Sequence, residues 1–268
     1  MEKLEGIERL TFEKAAIDPF IGTFGIRSIF NFFWAVGGWI TTVILTLNGT
    51  VPLVAGIGLS VVFIRACYMP MQESVHHTPS GGRKTFAWID RFIGETTGLV
   101  LCESFRGHVA THLLHHTHAN GERDPDVLNS AGTPGQIFGR VIAGAILYPL
   151  IPFIQIFPPL AKAIPPAIRE RFAERDRIRG PEVAKASRWI AIIHVTVLIA
   201  GTAAGFGTAV WLLWYIPAWI GRFWLSLVFG WLPHHPHQET GRYRDTRIFT
   251  FIGSTFLIRG HDYHLLHH

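Results

Sequence analysis

The amino-acid sequence predicts an all-α integral membrane bundle: four transmembrane helices in two hairpins, with a cytoplasmic helical cap on which histidines cluster. Three observations carry this. Four apolar stretches, about 29–47, 51–68, 189–205 and 208–231, are long enough to cross a bilayer as helices. Hydrophobic residues make up 49% of the 268 and charged residues only 16%, against about 25% charged in a typical soluble domain. The lysines and arginines fall in stretches that flank the apolar runs, the pattern of a membrane topology signal.

Taken in order, residues 1–18 are charged and mixed and lack the apolar core and small-residue cleavage site of a signal peptide. Only Asn48, Gly49 and Thr50 separate the first two spans, which makes them a tight helical hairpin. Residues 86–101 are moderately apolar and amphipathic, an interfacial pattern. A fifth apolar stretch, 137–160, is broken by Pro149, Pro152, Pro158 and Pro159 and reads as re-entrant or interfacial. The basic run 169–188 reads as a solvated cytoplasmic helix, and a Gly-rich turn joins the third and fourth spans.

Neither hairpin turn carries Lys or Arg. The N-terminal segment carries Lys3, Arg9, Lys14 and Arg27, the central one Lys162 to Arg188, and the C-terminal one Arg242, Arg244, Arg247 and Arg259. By the positive-inside rule both termini and the central region are cytoplasmic. The net charge of +5 is spread along these flanks rather than gathered into a nucleic-acid patch, so nucleic acid is not an expected partner. Cys67 and Cys102 form no disulfide framework and no metal-binding pair, and read as small core residues. No repeat is visible, and 1–268 reads as a single domain. The sequence stops at His268 inside a histidine cluster, which reads as a shortened C-terminus.

The fifteen histidines carry the chemistry. All but His194 lie in segments assigned to the cytoplasm, in four clusters: Gln72-Glu73-Ser74-Val75-His76-His77; His108, His112, His115, His116 and His118, followed by Asp124 and Asp126; His234, His235 and His237; and His261, His264, His267 and His268. Residues three and four apart share a helical face, so His108, His112, His115 and His116 are expected to project towards one point. His264, His267 and His268 repeat the HxxHH spacing. Imidazole suits iron, copper and zinc, and a closed structural zinc site takes about four ligands. Around ten donors imply at least two metal ions. The candidate ligands are His76, His77, His108, His112, His115, His116, His234, His237, His261, His264, His267 and His268. His118 and His235 read as supporting or exposed residues, and His194 as a packing or hydrogen-bonding residue within a span.

These motifs resemble the membrane-bound fatty acid desaturase superfamily, which includes fatty acyl desaturases and carotenoid ketolases and hydroxylases. His112-Leu113-Leu114-His115-His116 matches the second histidine box, His264-Leu265-Leu266-His267-His268 the third, and His234 the further histidine after the last span. His115-His116-Thr117-His118 with Asp124-Pro125-Asp126, and Leu232-Pro233-His234, are similar to the carotenoid ketolase pattern. The first box departs from the family: Gln72 stands where the first histidine is expected. His77, His108 and His261 are candidates to replace it, and Glu73 is a candidate ligand or orienting carboxylate. The resemblance implies a non-haem centre of two Fe ions. It also implies O2, a hydrophobic lipid or carotenoid substrate, and an electron donor such as ferredoxin, rubredoxin or cytochrome. The expected reaction is desaturation of fatty acyl chains, with carotenoid ketolation or hydroxylation as the alternative. A membrane metal transporter is disfavoured because its ligands sit near the bilayer midplane, and an inactive family member is the reading that Gln72 keeps open.

Overall fold

A computed structural model describes residues 11–127, 131–236, 238–241, 243–254, 258 and 261–267. The described residues are mostly helical and hold no strand. In chain order the helices that matter here are α1 (Ile26–Leu47), α2 (Leu53–Val75), α3 (Ala87–Val100), α4 (Phe105–His118), α5 (Pro134–Leu147), α6 (Ile151–Ile156), α7 (Pro166–Arg179), α8 (Pro181–Ala203), α9 (Thr208–Trp231) and the single turn α10 (His264–His267). The four spans α1, α2, α8 and α9 are long and apolar enough to cross a membrane, and the chain is a membrane protein.

Their packing follows from small residues. Gly38 of α1 lies under the ring of Phe63, where a Cβ would come within 2.3 Å, and Gly56 of α2 lies equally close to Thr46. Small residues at such crossings let backbones approach, which is how helices gain contact where lipid removes the hydrophobic drive to associate. The turn between them needs a positive φ at Gly49 (+82°), and Asn48 Oδ1 accepts from the Thr50 amide at 3.0 Å. α9 is the central span: 56% of its apolar window is buried inside the protein, against 22%, 33% and 28% for α1, α2 and α8. It packs on α2 and α8, and Trp39 of α1 donates its indole N–H to the Leu213 carbonyl at 2.7 Å. Phe30, Phe33 and Ile44 of α1 and Ile199 of α8 point outward, an apolar exterior suited to lipid.

The spans differ from the sequence expectation at three ends. α1 begins at Ile26 rather than 29. α2 runs on to Val75 instead of stopping at 68, because Gln72 and Ser74 are buried in the interior, where Ser74 Oγ donates to the Pro70 carbonyl at 2.7 Å. α8 begins at Pro181 rather than 189: Gly180 (φ +83°) breaks the chain from α7, and Pro181 opens the new helix despite the charged turns that follow. The fourth span holds at 208–231, with π-helical stretches at both ends. Residues 137–160 are broken as their prolines require, into α5, a 3-10 turn at Tyr148–Leu150, and α6.

Beside the spans, α3 and α4 form the frame of the functional region. Gly94 and Gly98 of α3 leave room for the Phe105 ring and for the chain at Glu103, where Cβ atoms would fall at 2.3 and 2.8 Å. Ser104 then caps α4, its hydroxyl accepting from the Gly107 amide at 3.1 Å.

Candidate metal centre

Helix α4 carries five histidines, His108, His112, His115, His116 and His118, on about three turns, and the structure divides them. Successive residues are rotated by about 100°, so His112 and His116 nearly coincide in direction while His115 points to one side. The single convergence point expected from spacing is therefore two adjacent points, and His115 and His116 serve different ones.

The first group is His76, His112, His116 and His267. His76 follows the last turn of α2, and His267 ends α10. The Nε2 atoms of His76, His116 and His267 lie 3.0, 2.8 and 3.1 Å from His112 Nε2, and His116 and His267 are 3.1 Å apart. The second group is His115, His234 and His264, all buried. His234 Nε2 is 3.2 Å from His115 Nε2 and 3.1 Å from His264 Nε2. The groups adjoin, with the His115 and His116 rings 6.0 Å apart and the His264 and His267 rings 5.5 Å apart.

Hydrogen bonding does not account for this arrangement. An imidazole nitrogen offers one proton or one lone pair, yet His112 Nε2 faces three other Nε2 atoms. Adjacent ligands on an ion held at about 2.1 Å lie about 3 Å apart, which is the spacing seen. The donor set and its geometry fit a metal ion in each group.

The surroundings support the same reading. Buried Asp124 accepts from His115 Nδ1 at 2.9 Å and from the Asn120 and Asp126 amides at 2.8 and 2.9 Å. Asp124 thereby places the His115 proton on Nδ1 and leaves Nε2 as a donor lone pair. Burial works to lower the His115 pKa, but Asp124 and Asp126 outweigh it and raise it. Burial, then the neighbouring imidazoles, push His112 far below the ordinary histidine range and keep it neutral. Burial alone would raise the Glu103 carboxyl, but Arg222, His108 and Arg179 hold it well below the usual carboxylate range.

The other candidates stand apart from both groups. His77, at φ 57° and mostly exposed, turns away to Asp90, with Nδ1 to Oδ2 at 3.1 Å; Asp90 also accepts from the Ser80 amide and hydroxyl. His108 directs Nδ1 at Glu103, 3.4 Å away, and stacks its ring on His112. His261 packs between the rings of Phe229 and His264. None of these three belongs to either group. His237 and His268 lie outside the described residues. His194 behaves as its isolation within a span suggests, with Nε2 3.2 Å from the Leu99 carbonyl and its ring edge on Trp214.

A cavity of about 250 Å³ adjoins the two groups. Its wall includes Tyr68, His112 and His264 together with Glu103, Arg179 and Arg222. Arg222 donates to the Cys102 carbonyl at 2.8 Å and lies 3.6 Å from Glu103. Sequence reasoning missed this charged wall, because Glu103, Arg179 and Arg222 come from separate segments with no shared motif. It also noted Asp124 only as a neighbour of the second box; the nine-residue step back to His115 across a turn gives no periodic signal.

A family model described as Fatty acid desaturase matches residues 48–268. No curated protein and no solved structure matches the chain significantly.

Proposed function

Because the chain belongs to the fatty acid desaturase family, we propose that it is an O2-dependent di-iron oxidoreductase that desaturates fatty acyl chains of lipids. The observation that carries this is the convergence of imidazole donors into two adjoining groups. His76, His112, His116 and His267 would hold one iron, and His115, His234 and His264 the other, with His268 assigned to the second by its place in the third box. Bound iron would supply the oxidising power, drawn from O2 and two external electrons, needed to break an unactivated C–H bond.

The chain's own residues do the rest. Asp124 locks the tautomer and orientation of His115. Ser104 and the Phe105 ring fix the start of α4, and so the direction of its histidines. The apolar spans exclude water and admit the substrate from the lipid, whose reacting carbon lies in the cavity beside His112 and His264. In this reading the spans form two hairpins, 1–268 is one domain, and both termini and the histidine groups face the cytoplasm, where a ferredoxin, rubredoxin or cytochrome would deliver electrons.

A second reading, a carotenoid ketolase or hydroxylase on the same centre, is favoured by one observation. The cavity wall of Glu103, Arg179 and Arg222 suits an oxygen atom near the reacting carbon better than it suits a run of methylenes. Expression in a host that makes carotenoids, followed by profiling of acyl chains and carotenoids, decides between the two. A new double bond in acyl chains supports desaturation and a keto or hydroxy carotenoid supports the second reading, whereas unchanged profiles beside an iron-loaded protein contradict both.

A further inference from the structure

We propose that Gln72 is the fifth ligand of the first metal group and binds through its carboxamide oxygen, so that this ion sits among four imidazoles and one amide while the second group has imidazoles alone among its described donors. The inference rests on the di-iron reading and deepens it. Gln72 is fully buried, one helical turn before His76 on α2. Its terminal amide lies 2.8 Å from His267 Nε2, the same spacing that separates the four imidazole nitrogens from their neighbours. It therefore occupies one more corner of the same polyhedron.

The alternative, a hydrogen bond from the amide N–H to His267 Nε2, fails once an ion is present. The His267 lone pair is then committed to the metal, and an N–H beside it has no acceptor. Gln72 Oε1 meanwhile is buried with no hydrogen-bond partner, a state that costs about 1–3 kcal/mol. A half-turn of the carboxamide exchanges the two atoms and places the oxygen at the ion, where its lone pair has a partner. Two of the histidines that could have filled the corner are directed elsewhere: His77 is held by Asp90 and His108 faces Glu103.

The substitution has a chemical consequence. Imidazole suits iron better than a neutral carbonyl-type oxygen does, so the Gln72 bond is the weakest in the first group. The two ions are then chemically distinct.

The test is a chelator titration of the full-length, metal-loaded protein in detergent, with ferrozine as the chelator and bound metal counted after gel filtration. Wild type is compared with Gln72→His, Gln72→Leu and, as a control on the other group, His234→Ala. The expected result is stepwise loss in wild type. The step that survives in His234→Ala belongs to the first group; it moves to higher chelator in Gln72→His and to lower chelator in Gln72→Leu, and the other step is unmoved in both. His234→Ala removes the other ion. A Gln72→Leu titration that superimposes on wild type overturns the proposal.

Should Gln72→Leu not fold, the visible absorption of the Co²⁺-loaded protein decides. Gln72→His shifts the cobalt bands if position 72 is a ligand, and leaves them unchanged if it is not. Zinc in place of iron in the purified wild type contradicts the di-iron reading but leaves the Gln72 comparison readable, since an amide oxygen ligates either ion.

Discussion

At the scale of single residues, a carboxylate on one ring nitrogen does not by itself bring a histidine into a group; the direction of the backbone does. His115 presents Nε2 to its group because Asp124 holds Nδ1 at 2.9 Å. His77 has Nδ1 on Asp90 as well, but its positive φ turns the ring outwards. Asp124→Asn keeps the size of the carboxylate but weakens the acceptor that fixes the His115 tautomer. It is expected to lower metal affinity in the second group by about 10–100-fold, while the first group keeps its ion. Metal content across a chelator titration measures this, and equal retention in both groups would show Asp124 to be structural only. The sequence made the donors visible, because two HxxHH groups beside further histidine clusters stand out by spacing alone. It did not make the partition visible: the step from His115 to His116 changes direction by about 100°, and which group each joins depends on where His234 and His267 arrive from distant segments.

At the scale of elements, the histidine helix is aimed by glycines on its neighbour. Gly94 admits the Phe105 ring and Gly98 the chain at Glu103, so α3 sets the start of α4 and with it the direction of its imidazoles. Gly94→Leu overfills that contact, at a cost of about 1–3 kcal/mol. The expected outcome is a lower melting temperature in detergent and loss of metal from both groups. Gly58→Leu, on an exposed position of α2 with open space around it, is expected to leave both unchanged. If the two variants behaved alike, the α3–α4 contact would not be what aims the helix. Hydropathy located the spans but not their ends. It stops where charge begins, and so fell short at Gln72 of α2 and at Glu182, Lys185 and Arg188 of α8, where the helix continues through polar residues.

For the whole molecule, three apolar spans pack with a central α9, and the histidine groups gather where α2, α4, the end of α9 and α10 meet. The two native cysteines are buried, and burial pushes the Cys102 thiol up to about 12, so neither labels readily. Cysteines placed at exposed Asn48, between α1 and α2, and at exposed Arg177, in the basic run, therefore report topology cleanly. In intact cells Asn48→Cys is expected to react with an impermeant maleimide and Arg177→Cys only after lysis; the reverse pattern would invert the orientation proposed above.

The central claim, that two adjoining groups of imidazoles hold two iron ions, is tested most directly by counting metal in the purified full-length protein by mass spectrometry, alongside the His112→Ala variant. The account predicts about two iron ions per chain, with the first-group ion lost when His112, which touches three of its neighbours, is removed. Stoichiometric zinc with no iron, or an iron content that His112→Ala leaves untouched, would contradict it.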